Sequence, residues 1–338
     1  MSMERSHGLW VLAWRRLWLD RVAMACMTVL GVYVLVVAAS VVGLLASDWE
    51  REAGVNYAPP SFAGGDAPVA VTKIPKFEAQ REIDDLGITD PLADVLARIR
   101  SELAAAPAPL PRAATLPLGG DKWGRDVLKK IVKGAETSMV VGLVAAVLAV
   151  ALGTLAGAFA GFYGGWVDAA LEWLYSVFTA IPYLLLVLAI AAVLNQKGMT
   201  TVIVILGLTG WTGIYRLVRA EYLKHTIREY VRAAEALGAT RARRMFAHIL
   251  PNVSHVVLVQ LSLHVVLFIK SEVILSFLGF GVGVDTVSWG SMLNEAQTEL
   301  ILGKWWQLTF ATLAMAGLVT VFSLFTDALR DALDPRLQ

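Results

Sequence analysis

Two ionisable residues, Lys270 and Glu272, lie inside a long apolar stretch of the chain. Charged side chains at membrane depth are costly, so they usually face protein or a water-filled path, where they often bind or relay an ion or solute. On a helix the two positions point about 200° apart, so we expect no direct pair between them. Two interpretations are open for each residue. Either it lines a translocation path, or it is structural, through an ion pair with another chain or by snorkelling to the membrane surface.

A second set of charged residues lies between glycines, ahead of residue 127. The set comprises Gly119, Asp121, Gly124, Arg125 and Asp126. Opposite charges at this spacing predict a local ion-pair cluster around tight glycine turns. We expect this cluster to have a structural role rather than a catalytic one.

Several motifs that carry chemistry are missing from the sequence. It has no Gly-rich phosphate loop ending in Gly-Lys-Ser/Thr, so we expect no ATP hydrolysis by this chain. It has no nucleophile elbow and no His-Glu zinc helix. The one cysteine, Cys26, lies in an apolar run, which excludes disulfides and cysteine metal sites within the chain. We therefore expect a non-catalytic protein that binds no cofactor and no metal of its own.

The composition is that of a membrane protein. Of the 338 residues, 57% are hydrophobic, and the mean hydropathy is +0.62; both values suit a polytopic membrane protein. The net charge is only +1, so the composition does not indicate a nucleic-acid-binding protein. We predict an all-α fold with six transmembrane helices, at about residues 22–46, 138–162, 170–194, 200–217, 253–278 and 305–325.

Proline and glycine are expected to shape these spans. Pro182 should kink the third span, because proline removes a backbone donor and clashes with the preceding turn. Gly142, Gly153 and Gly157 in the second span would allow close helix packing. The alternative for these three is the ordinary enrichment of glycine in membrane helices.

The charge pattern divides the chain into segments. We predict a cytoplasmic N-terminal segment 1–21, a first transmembrane helix 22–46, an extracytoplasmic subdomain 47–136, a transmembrane core 137–326 with a cytoplasmic loop 218–252, and a cytoplasmic tail 327–338. The basic, Trp-rich N-terminus sets this orientation, because short basic flanks stay in the cytoplasm. Segment 47–136 is alternatively a partly ordered linker. From Val127 it reads as an amphipathic helix with Lys129, Lys130 and Lys133, which we expect along the outer membrane surface.

The stretch Glu229–Asn252 is strongly polar and lies between two predicted spans. Four apolar residues recur at helical spacing and are expected to share one face: Ile227, Val231, Ala234 and Leu237. Three charged residues are expected on the opposite face: Arg228, Arg232 and Glu235. We interpret this segment as a docking element; the alternative is a surface loop that only follows the positive-inside bias.

Glycine and proline should bound the helices of this segment. Gly238 tolerates φ > 0 and is expected to end the first helix. A second short helical run is expected over residues 241–247. Pro251 suits the first turn of the helix that follows.

The same stretch, EYVRAAEALGATRARRMFAHILPN, resembles the EAA loop of ABC-importer permeases in the form found in the dipeptide/oligopeptide permease family. Residues at matching positions are Ala233, Ala234, Gly238, Leu250 and Pro251. Arg232 replaces the leading Glu and His248 replaces an Ile, departures that resemble the peptide subfamily's own variation. Other stretches resemble the same family in the same order: LPLGGDKWGRDVL, LSFLGFG, SWGSML and the tail from residue 327.

The resemblance implies a type I ABC importer permease fold, as the C-type subunit of a binding-protein-dependent importer in the bacterial inner membrane. The implied partners are a second homologous permease, two cytoplasmic ATPases that hold ATP and Mg²⁺, an extracytoplasmic solute-binding protein and membrane lipid. The implied solute is a di- or oligopeptide or a related small solute. The implied coupling residues are Glu229, Arg232, Ala233, Ala234, Leu237, Gly238, Ala239 and Pro251. The alternative functions are a stand-alone secondary transporter that uses Lys270 and Glu272, and a membrane scaffold.

Overall fold

A computed structural model describes residues 9–64, 92–105, 112–283 and 285–333 of the chain. Parts of the predicted terminal segments, residues 1–8 and 334–338, lie outside the described residues. The chain forms two compact units. Unit 2 is Glu50–Val127, and unit 1 consists of Met1–Trp49 and Leu128–Gln338.

The secondary structure of the described residues is helical, apart from short turns and isolated bridges. The α-helices are α1 Leu9–Leu19, α2 Arg21–Val41, α3 Ala93–Ala105, α4 Val127–Tyr163, α5 Gly165–Thr179, α6 Tyr183–Leu194, α7 Met199–Thr209, α8 Thr212–Thr226, α9 Glu229–Ala236, α10 Arg241–Arg243, α11 Leu250–Phe277, α12 Trp289–Ile301 and α13 Trp306–Leu333. Five helical stretches among the described residues are long and apolar enough to cross a membrane, and a bent helix pair brings the number to six if it forms one span. The chain is therefore a multi-pass membrane protein.

The bent pair consists of α5 and α6, which meet at an angle of 84°. The helix ends at Thr179 and the next begins at Tyr183, directly after Pro182. The predicted proline kink is confirmed, and the bend is larger than that of an ordinary kinked span. At the other end of α6, Asn195 adopts the left-handed conformation that closes a helix.

Helix α4 begins at Val127 and runs without a break to Tyr163. The expected separate surface helix is therefore wrong, because its lysines lie on the first turns of α4 and pair with protein carboxylates. Lys130 is only 1% exposed, and its Nζ lies 2.7 Å from Glu295 Oε2 on α12. The same Nζ donates to Gln307 Oε1 on α13 at 3.3 Å. These bonds fasten the start of α4 to two helices of unit 1.

Glycines allow α4 to lie close to α8 and α11. A Cβ added to Gly153 would lie 2.6 Å from the Trp211 carbonyl oxygen, and one added to Gly157 would lie 2.7 Å from that of Tyr215. A Cβ on Gly142 would approach the backbone nitrogen of Ile269 to 3.2 Å. Only glycine permits these backbone approaches, so the close-packing interpretation of the three glycines is confirmed.

The glycine–aspartate motif lies in unit 2. Asp121 is fully buried, and its Oδ1 accepts bonds from the backbone N–H groups of Trp123 and Arg125, each at 2.9 Å. Gly119 and Gly124 have φ values of +92° and +79°, as expected for tight glycine turns. The Asp121 carboxylate thus stabilises the turn through backbone hydrogen bonds, which fits the expected structural role. Arg125 and Asp126 lie in the same turn, and Asp126 is also buried.

Candidate functional site

The predicted docking segment folds as the short helix α9, which packs against neighbouring parts of unit 1 through two side chains. Val231 and Ala234 are buried, and Val231 belongs to a core cluster with Tyr222, Met245 and Ile249. These larger residues come from α8 and from the stretch that follows α9, so α9 rests on the helices before and after it.

The structure buries only half of the expected apolar face. Leu237 is 89% exposed and Ile227 is 66% exposed. The cause is the shortness of the helix. Leu237 is the residue that caps the end of α9, and Ile227 precedes the N-cap residue Arg228, so neither continues the buried stripe. Three apolar side chains, including Tyr230, therefore remain exposed at this end of unit 1.

An ion pair holds α9 to the stretch that follows it. Glu235 Oε1 lies 2.6 Å from Arg244 Nη1, and the Arg244 guanidinium also stacks 5.6 Å from the ring centre of Phe162 on α4. The Tyr222 hydroxyl donates to the Met245 carbonyl oxygen at 3.1 Å. Together with the buried contacts, these interactions attach α9 to α8 and to residues 241–249, which precede α11.

Gly238 ends α9, as predicted. Its φ is +82°, and its N–H donates to the Glu235 carbonyl oxygen at 2.9 Å. The next N–H, that of Ala239, donates to the Ala234 carbonyl oxygen at 3.0 Å. Apart from its two neighbours in the chain, none of the described residues has a heavy atom within 4 Å of an added Cβ at Gly238. Backbone conformation, rather than crowding within this chain, is therefore what requires glycine here.

The chain then continues as one helical stretch from Arg241 to Phe277. Residues Arg244–Ile249 form a π-helical turn, closed by the N–H of Leu250 donating to the Met245 carbonyl oxygen. Pro251 is the second residue of α11, in the first turn as predicted, and it has no N–H to donate to the preceding turn. The short run and the next span are thus joined, whereas the sequence led us to expect two separate helices. Such π turns are often found at functional sites.

The outer side of α9 borders a groove of about 500 Å³. Its lining residues are Tyr230, Ala233, Ala234, Leu237, Gly238, Ala239, Arg243 and His248. Five of the eight predicted coupling residues therefore line one groove. Glu229, Arg232 and Pro251 are exposed but do not line it.

Three groove residues were missed by the sequence reasoning: Tyr230, Arg243 and His248. The Tyr230 hydroxyl lies 2.8 Å from His225 Nδ1, and burial raises the pKa of Tyr230 above its ordinary value, so the phenol stays neutral. His248 was noticed only as a departure from the family pattern. Arg243 is the last residue of α10, which follows the Gly238 turn.

The structure places Glu272 and Lys270 on opposite sides of α11. Glu272 is 0% exposed and accepts bonds from the hydroxyls of Ser138 on α4 at 2.6 Å and Ser276 at 2.7 Å. Lys270 is exposed. Glu272 is thus enclosed by hydroxyl donors within the protein, while Lys270 projects from the surface of the chain.

Comparison with known proteins identifies the class of this molecule. A family model described as the binding-protein-dependent transport system inner membrane component matches residues 153–338, more than half of the chain. The chain belongs to this family of membrane transport components. The all-α polytopic fold expected from the sequence agrees with this membership.

Within this family, the chain is similar to several permeases of peptide transport systems. The chain is 37% identical over 229 residues to the dipeptide transport system permease protein DppC of Bacillus subtilis, covering 68% of this chain and 71% of that protein. It is 37% identical over 223 residues to the oligopeptide permease OppC of the same organism, covering 65% and 72%. It is 38% identical over 220 residues to the glutathione permease GsiD of Salmonella paratyphi A, covering 65% and 72%. The motif-based resemblance to dipeptide and oligopeptide permeases is confirmed.

Among solved structures, the MetNI methionine ABC transporter in inward-facing conformations is similar. It matches with a TM-score of 0.49 at 16% identity, covering 61% of this chain and 96% of that chain.

Proposed function

We propose that this chain is one of two permease subunits of an ATP-driven importer for di- or oligopeptides or a related small solute. The names of its relatives, which include dipeptide, oligopeptide and glutathione permeases, support this solute class. The chain itself performs no catalysis and holds no cofactor. Two cytoplasmic ATPase subunits bind ATP and Mg²⁺, and an extracytoplasmic binding protein delivers the solute. Both termini of the chain lie in the cytoplasm.

The observation that carries this proposal is the α9 groove. Alanines and glycine on its wall let another protein approach the backbone closely, and exposed Leu237 and Tyr230 supply apolar and aromatic contacts. Exposed apolar side chains grouped beside a groove mark an interaction site. The groove lies in the predicted cytoplasmic loop, where an ATPase would seat α9.

The mounting of α9 supports a role in coupling. Because Val231 and Ala234 are buried against the neighbouring helices and Glu235 pairs with Arg244, we expect α9 to move together with α8 and α11. Closure of the ATPase pair would displace α9 together with both helices. The solute path would then switch between its inward-facing and outward-facing forms, as in coupling through a packed two-state element.

The same contacts argue against a stand-alone transporter that relays ions through Lys270 and Glu272. The two side chains lie on opposite faces of α11, and Glu272 is fully buried among serine hydroxyls. They do not form a continuous route. A membrane scaffold would bind a partner at the groove without moving any solute.

The test is ATP-dependent uptake into proteoliposomes. The chain, reconstituted with its partner permease, the ATPases and the binding protein, should accumulate tri-alanine or glutathione only when ATP is supplied. The chain alone should accumulate neither. Accumulation by the purified chain without an ATPase would overturn the proposal, and ATPase binding without uptake of any solute would favour the scaffold.

Paired variants on α9 test the groove. Ala233→Glu places a carboxylate on the groove wall, whereas Ala236→Glu places one at an exposed position that does not line the groove. We expect the first variant to reduce ATPase co-purification and uptake at least tenfold. The second should change them by less than about threefold. Equal behaviour of the two variants would contradict the assignment of the groove.

A further inference from the structure

One face of α11 combines exposed leucines with a single cation. The residues of this face recur at spacings of three and four and lie within about 100° of one another on the helix: Val256, Val259, Gln260, Leu263, Leu267, Lys270 and Ile274. Leu263 and Leu267 are each 41% exposed, and Lys270 is exposed beside them. The opposite face, which includes Phe268 and Glu272, is buried in unit 1.

Lys270 lies within the apolar length of α11, beside exposed leucines. It follows the start of α11 by 20 residues, or roughly 30 Å, and precedes its end by about 10 Å. The ion pairs within the described residues do not include it. A cation among leucines in a membrane helix is costly unless it meets water, an anion or another protein. This face is therefore unsuited to contact with lipid alone.

The same face leads into a pocket of mixed apolar and polar lining at the end of unit 1 that carries α9. The pocket has a volume of about 400 Å³ and lies between α8, α11 and α13. Its lining residues are Leu217, His255, Val256, Val259, Gln260, Leu263, Arg330 and Leu333. Four of them belong to the exposed face of α11. Gln260 and Lys270 are separated by about 15 Å along the helix.

The charges along this route have one sign. His255, Lys270 and Arg330 are basic or can become so, Gln260 is neutral, and the pocket lining contains no carboxylate. Asp327 and Asp331 flank Arg330 in sequence, but neither lines the pocket. A solute that fits this route carries an anionic group for the cations and apolar groups for the leucines.

We propose that this face of α11, from the pocket to Lys270, is the part of the solute path contributed by this chain, and that it accepts solutes bearing a carboxylate. The inference rests on the proposed permease function and names the residues and the solute charge for it. Lys270 is the specificity-determining group at the end of the route away from the pocket. Arg330 and Gln260 contact the polar groups of the solute at the pocket. The leucines between them contact the uncharged parts of the solute.

Cysteine labelling tests this route without knowledge of the natural solute. In the assembled complex with Cys26→Ser, the variants Leu263→Cys and Leu267→Cys are treated with two thiol reagents of similar size, an anionic sulfonatoethyl and a cationic trimethylammonioethyl methanethiosulfonate. Leu35→Cys on α2, which is 70% exposed and lies outside the proposed route, is the matched control.

We expect both α11 cysteines to react while Leu35→Cys does not. At Leu267→Cys the ratio of anionic to cationic labelling rates should fall at least about threefold when Lys270→Gln is added, because one cation near a confined thiol concentrates anions. Lys270→Arg should restore the ratio. Unreactive α11 cysteines, or a ratio unaffected by Lys270→Gln, would overturn the proposal.

ATP-dependent uptake by the complex in which Leu263, Leu267 and Lys270 are unsubstituted separates the two hypotheses. If uptake is retained but the α11 cysteines do not react, the path lies elsewhere and the permease function stands. If the complete complex shows no ATP-dependent uptake, the permease function fails whatever the labelling pattern.

Discussion

Glu235 on α9 and Arg244 on the π turn form an ion pair of 2.6 Å that joins α9 to the helical stretch Arg241–Phe277. The carboxylate side is 60% exposed, so the pair itself contributes at most about 1 kcal/mol to stability. The pair links α9 to the helical stretch that continues into α11, so we expect it to matter more for coupling than for stability.

Loss of this ion pair should therefore weaken the coupling of ATP hydrolysis to uptake more than it destabilises the fold. We expect Arg244→Gln to lower solute uptake per ATP hydrolysed at least about threefold, while the thermal midpoint of the purified chain falls by only a few degrees. Lys224→Gln is the control, since Lys224 pairs with Glu221 within α8. An unchanged ratio of uptake to hydrolysis in Arg244→Gln would count against a rigidly mounted α9.

Gly238 provides a test of backbone conformation. Its positive φ penalises a β-branched residue by about 1–2 kcal/mol, while asparagine tolerates this region better. Gly238→Val should abolish ATPase co-purification, and Gly238→Asn should retain part of it. Both variants should still insert into the membrane, because the added Cβ meets no packed neighbour in the described part of the chain. Equal retention in the two variants would show that φ at this position is unimportant.

The approach of α4 to α8 predicts a packing effect. Gly157→Ala places a methyl group 2.7 Å from the Tyr215 carbonyl oxygen, and overpacking of this kind costs about 1–3 kcal/mol. The control is Gly31→Ala on α2, where no atom lies within 4 Å. Thermal unfolding in detergent should show a clearly lower midpoint for Gly157→Ala and little change for Gly31→Ala. The reverse order would contradict the close contact.

The buried hydrogen bonds of Glu272 predict that removing its acceptor oxygens destabilises the chain more than replacing the carboxylate with an amide. Glu272→Ala leaves the buried hydroxyls of Ser138 and Ser276 without their acceptor and should destabilise the chain by about 2–3 kcal/mol. Glu272→Gln keeps a carbonyl oxygen, and we expect it to fold and to retain uptake within about threefold. Complete loss of uptake in a stably folded Glu272→Gln variant would instead favour a relay role for this carboxyl.

Local rules predicted much of the fold and part of the site. The break at Pro182, the turn at Gly238 and the glycines on α4 each depend on the backbone properties of one residue type, so they could be read from the sequence. The hydroxyl environment of Glu272 could not, since Ser138 is 134 residues away. The exposure of Leu237 also escaped prediction, because it depends on where α9 ends rather than on its periodicity.

The π turn has a mechanical consequence. Without a break between Arg241 and Phe277, this stretch of 37 residues acts as a single rod about 55 Å long. A tilt of about 5° at the groove would shift its distant tip by roughly 5 Å, with no change in its internal hydrogen bonds. Under the proposed function, a small swing of α9 would therefore be converted into a larger displacement at the other end of α11.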